Sequence, residues 1–215
     1  MKIESLPGKS AFETAITSIR GNERVVIIGN DESRDLVEEQ IDLADSDWET
    51  ALEEADQTSA EDWFREQIEK FIVGNDVEIG DWPTKAFPKG DWSLNRDILS
   101  RDLYEHVNVA RMNVESSWQI PALFCFGGGN ACPIPAVHCA IWKYWEQRFD
   151  AHIVAVSNDV IEAKVFSPPD SKEQALELAK EQYVYCSDIV SQGVGHIASL
   201  AAALLNADKW YFWWD

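Results

Sequence analysis

Half of the acidic residues in this chain are crowded into less than a quarter of its length. Of 38 Asp and Glu in 215 residues, 19 lie between Asp31 and Asp81, where the basic residues are Arg34, Arg65 and Lys70, a net of −16 over 51 positions. Unpaired charges cost several kcal/mol each to bury, roughly, so such a segment must keep most of its side chains in water. It is not low-complexity, because Leu36, Ile41, Leu43, Trp48, Leu52, Trp63, Phe64, Ile68, Phe71 and Ile72 interrupt it. Trp48, Leu52 and Ala55 fall at i, i+4 and i+7, and Phe64, Ile68, Phe71 and Ile72 repeat a helical spacing. The pattern predicts amphipathic helices with acidic outer faces, on which Glu38, Glu39, Asp45, Asp47, Glu53 and Glu54 are candidates for contact with a partner.

The rest of the chain carries only −4 of the total of −20. With 46% hydrophobic residues and ten Trp, the composition is that of a folded protein. The length allows one large domain or two small ones, and we divide it into an acidic α/β region over 1–100 and an α+β domain over 101–215. No apolar run reaches the ~18 residues of a membrane span, and the first residues show no secretory h-region. Cys125, Cys132, Cys139 and Cys186 make no disulfide framework, so a cytoplasmic location is expected. The negative charge excludes ordinary binding to nucleic acid or to anionic lipid. No phosphate-binding, dinucleotide-binding, catalytic-triad or zinc signature is present, and no cofactor or metal is expected.

Ser10–Ile19 reads as a short helix capped by Ser10, and Val25–Gly29 as a buried strand followed by a helix capped by Asn30 or Asp31. Residues 74–100, rich in Gly and Pro, read as a linker or a long loop pinned by Trp82 and Trp92. His106–Val114 and Pro121–Phe126 read as strands, the second ending in Gly127-Gly128-Gly129. Pro133 and Pro135 open a helix through Arg148, with Val137, Ile141, Trp145 and Phe149 on its buried face. His152–Ser157 and Val160–Phe166 form a hairpin about Asn158-Asp159. Ser171 caps a further helix, and another runs from about Gly195 to Asn206. The ending Trp210-Tyr-Phe-Trp-Trp-Asp215 has strand composition, and apolar residues on both of its faces point to a central strand in a covered sheet. The mixed order of elements predicts an α+β fold: a largely antiparallel mixed sheet flanked by helices, with an acidic helical N-terminal region.

The ending WYFWWD, with YCSDIVSQGVG, a Pro-Pro before a helix and HCAIWKYWEQRFDAHIVAVSND upstream, resembles the bacterial domain of unknown function 4253. VNVARMNVESSWQIPALFCFGGGNACP is similar to the segment leading into that family's Gly-Gly-Trp-Asn…Cys-Pro signature, with Gly129 where the family often has Trp. VVIIGN and AEDWFREQ resemble its weaker N-terminal portion, and the strong likeness covers about 104–215. The resemblance implies motif positions that include Asn130, Cys132, Tyr185, Cys186, Asp188 and Gln192, and it implies no activity, substrate or cofactor.

Three readings of function follow. The first is a non-enzymatic binding protein, of immunity, inhibitor or DNA-mimic type, whose acidic helices meet a basic protein. The second is a cysteine-dependent hydrolase or transferase, with Cys132 near a helix N-terminus as nucleophile, His138 as base and Asp188 or Asn130 as the orienting group. The third is a structural homo-oligomer, such as a homodimer, joined through its Trp-rich edge. Gln192, Trp213, Trp214 and Asp215 are further binding candidates, with Asp188, Gln192 and His196 forming a polar cluster beside a cleft.

Overall fold

The structure is a computed structural model that describes residues 1–44, 47–85 and 90–215. Asp45 lies outside the described residues. Six strands, β1 (Lys2–Pro7), β2 (Arg24–Gly29), β3 (His106–Met112), β4 (Ala151–Val156), β5 (Val160–Val165) and β6 (Lys209–Trp213), form one sheet in the order β1-β3-β2-β4-β5-β6. Among the described residues only the β2–β4 pairing is parallel, so the fold is α+β on a mostly antiparallel sheet. β3 lies between β1 and β2, so strands from both sides of residue 100 hydrogen-bond in a single sheet.

The described residues also form helices α1 (Ala11–Ser18), α2 (Asp31–Asp42), α3 (Trp48–Gln57), α4 (Ala60–Ile68), α5 (Ile120–Leu123), α6 (Pro135–Phe149), α7 (Lys172–Tyr185) and α8 (Ile197–Leu204), with π-helical turns at Glu69–Val73 and Ile189–Val194. The main core packs Val26, Ile28 and Val37 with Trp142, Trp145, Tyr185, Trp210, Phe212 and Trp214. A smaller core on the opposite face of the sheet holds Phe12, Val25, Ile27, Val107 and Val109 beneath Trp92 and Leu94. There Trp92 stacks on Phe12 at 4.3 Å, so the long loop is pinned as expected.

Several elements match the expectations, among them the β4–β5 hairpin, α6 opening at Pro135, and Asn30 and Ser171 as caps. Others do not. Pro121–Phe126 is not a strand: Gln119 accepts the Glu115 N–H at 2.9 Å, the chain enters a turn, and Pro121, without an N–H to donate, sits in the first turn of α5. A short buried apolar run has no periodicity by which strand and helix can be told apart. β6 is an edge strand, not a central one. Its two apolar faces have different causes, because Trp210, Phe212 and Trp214 enter the main core while Tyr211 and Trp213 line a cavity. Ser10 stands at the N-cap of α1 without a capping bond; its hydroxyl instead faces Pro7 O. α8 starts at Ile197, after the π-helical turn, rather than at Gly195. β1 carried no sequence signal that we recognised.

The acidic helices are present, but their inner faces are shifted. In α3 the buried residues are Ala51 and Ala55, which close on Ala122, Cys139 and Ala140, while Trp48 is 44% exposed. Small side chains on both sides of that seam let α3 approach α6 closely, and this rotates Trp48 outward. After α4, Ile72 is buried and Phe71 is exposed, since the π-helical turn breaks the 3.6-residue spacing.

Candidate functional site

The segment from Gly127 to Pro135 turns tightly. Gly127 and Gly128 have φ of 97° and 89°, and Asn130 and Ala131 also adopt left-handed backbone. At Gly127 a Cβ would lie 2.0 Å from Pro133 O and 2.7 Å from His138 Nε2, so no side chain fits. Gly128 N–H donates to Pro133 O at 2.9 Å and Cys132 N–H to Gly129 O at 2.7 Å. At Gly129, by contrast, a Cβ would meet open space.

This turn brings Cys132 Sγ to 3.3 Å from His138 Nε2. The orienting group is neither Asp188 nor Asn130. His138 Nδ1 faces Tyr185 Oη at 2.5 Å, and Trp142 Nε1 donates to the same oxygen at 2.9 Å. Trp142 can only donate, so the phenol accepts from it. The phenol's own proton has one acceptor among the described residues, His138 Nδ1, which leaves the imidazole proton on Nε2. Pro133 O faces the ring as a second acceptor. The imidazole therefore presents an N–H to Cys132, the reverse of a dyad in which the thiol proton passes to the ring.

Burial sets the charge states against thiolate chemistry as well. It drives His138 down to about 3 and lifts the Cys132 thiol far above its ordinary value, with Cys186 nearby adding to the rise. The helix-terminus effect expected for Cys132 is outweighed: Pro133 and Pro135 have no N–H to offer, and Ile134 supplies no capping bond to α6. Phe126, Trp214 and Tyr185 pack edge-on around the His138 ring at 5.0–5.4 Å. The arrangement is a neutral polar relay closed in aromatic rings.

The other candidates are dispersed. Asn130 is exposed on the turn. Asp188 accepts the Asp215 N–H at 3.2 Å and, with Gln192 and Trp213, lines a cavity of about 710 Å³ beside β6. His196 packs against Gly80 and is not among the cavity's lining residues. Trp214 is in the core, and Asp215 is exposed. Glu38, Glu39, Glu53 and Glu54 are exposed on α2 and α3, and Asp47 caps α3 by accepting the Thr50 N–H at 2.7 Å. Glu162, absent from the sequence-based candidates, lines the same cavity at 2% exposure, and its carboxyl accepts the N–H groups of Ser93 at 2.8 Å and Leu94 at 3.1 Å. Burial pushes it up to about 7. An acid inside a strand that otherwise reads Val-Ile-x-Ala-x-Val was the signal available for it.

A family model for the domain of unknown function 4253 (DUF4253) matches residues 108–215. The chain belongs to this family. No curated protein and no solved structure matches it. The DUF4253 match contains the Cys132–His138–Tyr185 relay and β4, β5 and β6. It begins inside β3 and excludes β2, the strand that fills the place between β3 and β4. Among the described residues no helix is long and apolar enough to cross a membrane, and no group of three or more His, Cys, Asp or Glu is placed to hold a metal ion.

Proposed function

We propose that this DUF4253 protein is a non-enzymatic binding protein whose acidic helical face, α2 to α4, receives a basic protein. The observation that carries the reading is an uncompensated acidic surface with apolar side chains set into it. Arg34 is used within its own helix by Asp31 and Asp35, Arg65 by Asp62, and Lys143 of α6 by Asp56. Glu38, Glu39, Glu53 and Glu54 stand exposed beside Leu36, Leu43 and Trp48, which are 41%, 72% and 44% exposed. Exposed aromatic and aliphatic anchors within a field of one sign are the ingredients of an electrostatically steered interface. Against the cysteine-enzyme reading stand the neutral state of Cys132 and His138, and the pairing of His138 Nδ1 with Tyr185 while Asp188 is bonded to the Asp215 N–H.

The test compares the whole protein with its E38K/E39K/E53K/E54K variant as baits for basic proteins of its own cell extract, followed by affinity measurement on each protein retained. A partner binds the wild type tightly, loses affinity steeply between about 50 and about 300 mM salt, and fails to bind the variant. Retention that is equal on both baits, or indifferent to salt, removes the proposal.

A further inference from the structure

The cavity beside β6 lies away from α2–α4 and is independent of the docking reading. Its volume, about 710 Å³, is in the range of small-molecule sites. Its character follows from the register of β5 and β6. Glu162 pairs directly with Tyr211, and Val160 with Trp213, so the carboxyl and the two rings project from the same side of the sheet. Tyr211 is 46% exposed and Trp213 partly so; both rings offer open surface to the cavity.

Glu162 is a buried carboxyl without an ion pair among the described residues: its two hydrogen bonds come from backbone N–H groups. The ammonium of Lys209, on the same side, donates to Gly90 O at 3.1 Å and lies 4.8 Å from the Trp92 ring centre. Lys172 likewise places its ammonium 4.6 Å from Trp82, another ring of the cavity. Ammonium groups thus already rest on two of the cavity's aromatic rings, while the Glu162 carboxyl beside Tyr211 feels the charge of Lys209 without forming an ion pair with it, because that ammonium is held by Gly90 O and the Trp92 ring. Cations are drawn to aromatic faces, most strongly where water is excluded.

We propose that this cavity is a binding site for a small organic cation, an amine or quaternary ammonium with an apolar body, held by Glu162 and the rings of Tyr211 and Trp213. The experiment is isothermal titration calorimetry of the full chain with benzyltrimethylammonium, neutral benzyl alcohol and anionic phenylacetate. The cation is expected to bind at one site, and the alcohol and the anion at least about tenfold more weakly or not at all. Glu162→Gln and Trp213→Leu are each expected to weaken cation binding by about tenfold. Absence of cation binding at millimolar concentration, equal binding of the alcohol, or preference for phenylacetate overturns the proposal. If Glu162→Gln does not fold, Trp213→Leu and Tyr211→Leu decide, because both rings are partly exposed, and unchanged cation affinity in both overturns it.

Discussion

Tyr185 holds together a chain of donors in which each partner has a fixed role: Trp142 donates to the phenol, the phenol donates to His138, and His138 donates toward Cys132 and Pro133. Removing one member of a buried network leaves the others unpaired, at about 1–3 kcal/mol for each orphaned group. Tyr185→Phe orphans both Trp142 Nε1 and His138 Nδ1, so it should lower stability by roughly 2–5 kcal/mol in urea unfolding. Cys132→Ser is expected to cost much less, since a hydroxyl still accepts from His138. The same wiring makes Cys132 a poor nucleophile. Iodoacetamide followed by mass spectrometry from pH 5 to 9 should find it no faster than Cys125 at neutral pH; a fast Cys132 with an acidic midpoint would restore the enzyme reading. Gly127 and Gly128 separate space from backbone conformation. Both have positive φ, but only Gly127 faces atoms that a Cβ would strike. Gly128→Ala should therefore cost about 1 kcal/mol of conformational strain, and Gly127→Ala several kcal/mol or the fold itself.

Glu162 ties the long loop to the sheet, and its burial makes that junction sensitive to pH. With its pKa raised from the ordinary 4.5 to about 7, the folded state holds the proton more tightly than the unfolded chain. Its stabilising contribution is complete below about pH 4.5 and is lost as pH rises through 7. Lys209 and Tyr211 face the carboxyl from β6, and Ser93 and Leu94 from the loop. Glu162→Gln should flatten the stability profile between pH 5 and 8 relative to wild type, as read by urea midpoints at each pH. An unchanged slope would place the titration elsewhere. Where periodicity and caps agree, the sequence was readable: Asn30, Ser171 and Pro135 mark real helix starts, and the spacing of Ile141, Trp145 and Phe149 marks the buried face of α6. It misled where packing of neighbours decides. Ala55 is buried as its spacing predicts, but Trp48 reads as an inner residue until the small side chains of α6 admit Ala51 in its place. The two apolar faces of β6 read as a covered centre because an edge beside a cavity has the same alternation. Cys132 and His138 are six positions apart at one loop-helix junction and so can be paired from the sequence, but Tyr185, 47 positions from His138, cannot be tied to them by spacing.

The sheet order constrains the molecule as one unit. β2 is drawn from the N-terminal part yet lies between β3 and β4, so a fragment of residues 101–215 would have to leave that place empty or pair β3 and β4 directly. Such a fragment should be unfolded or molten by circular dichroism and amide dispersion, and a well-folded fragment would show that the DUF4253 portion closes its sheet without β2. Charge acts on the same whole. With −16 concentrated in residues 31–81, which include α2 to α4, like charges repel across neighbouring helices, and salt relieves this as the Debye length shortens from about 20 Å at ~20 mM to about 4 Å at ~500 mM. The melting temperature should therefore rise with salt, by several degrees if about 2 kcal/mol is recovered, at roughly 2–4 °C per kcal/mol for a chain of this size. The E38K/E39K/E53K/E54K variant should show a smaller rise. Salt thus has opposite signs for the two properties of this face. It stabilises the isolated fold and weakens association with a basic partner, so a complex that tightened with salt would have to be held by the apolar residues Leu36, Leu43 and Trp48 rather than by the field around them.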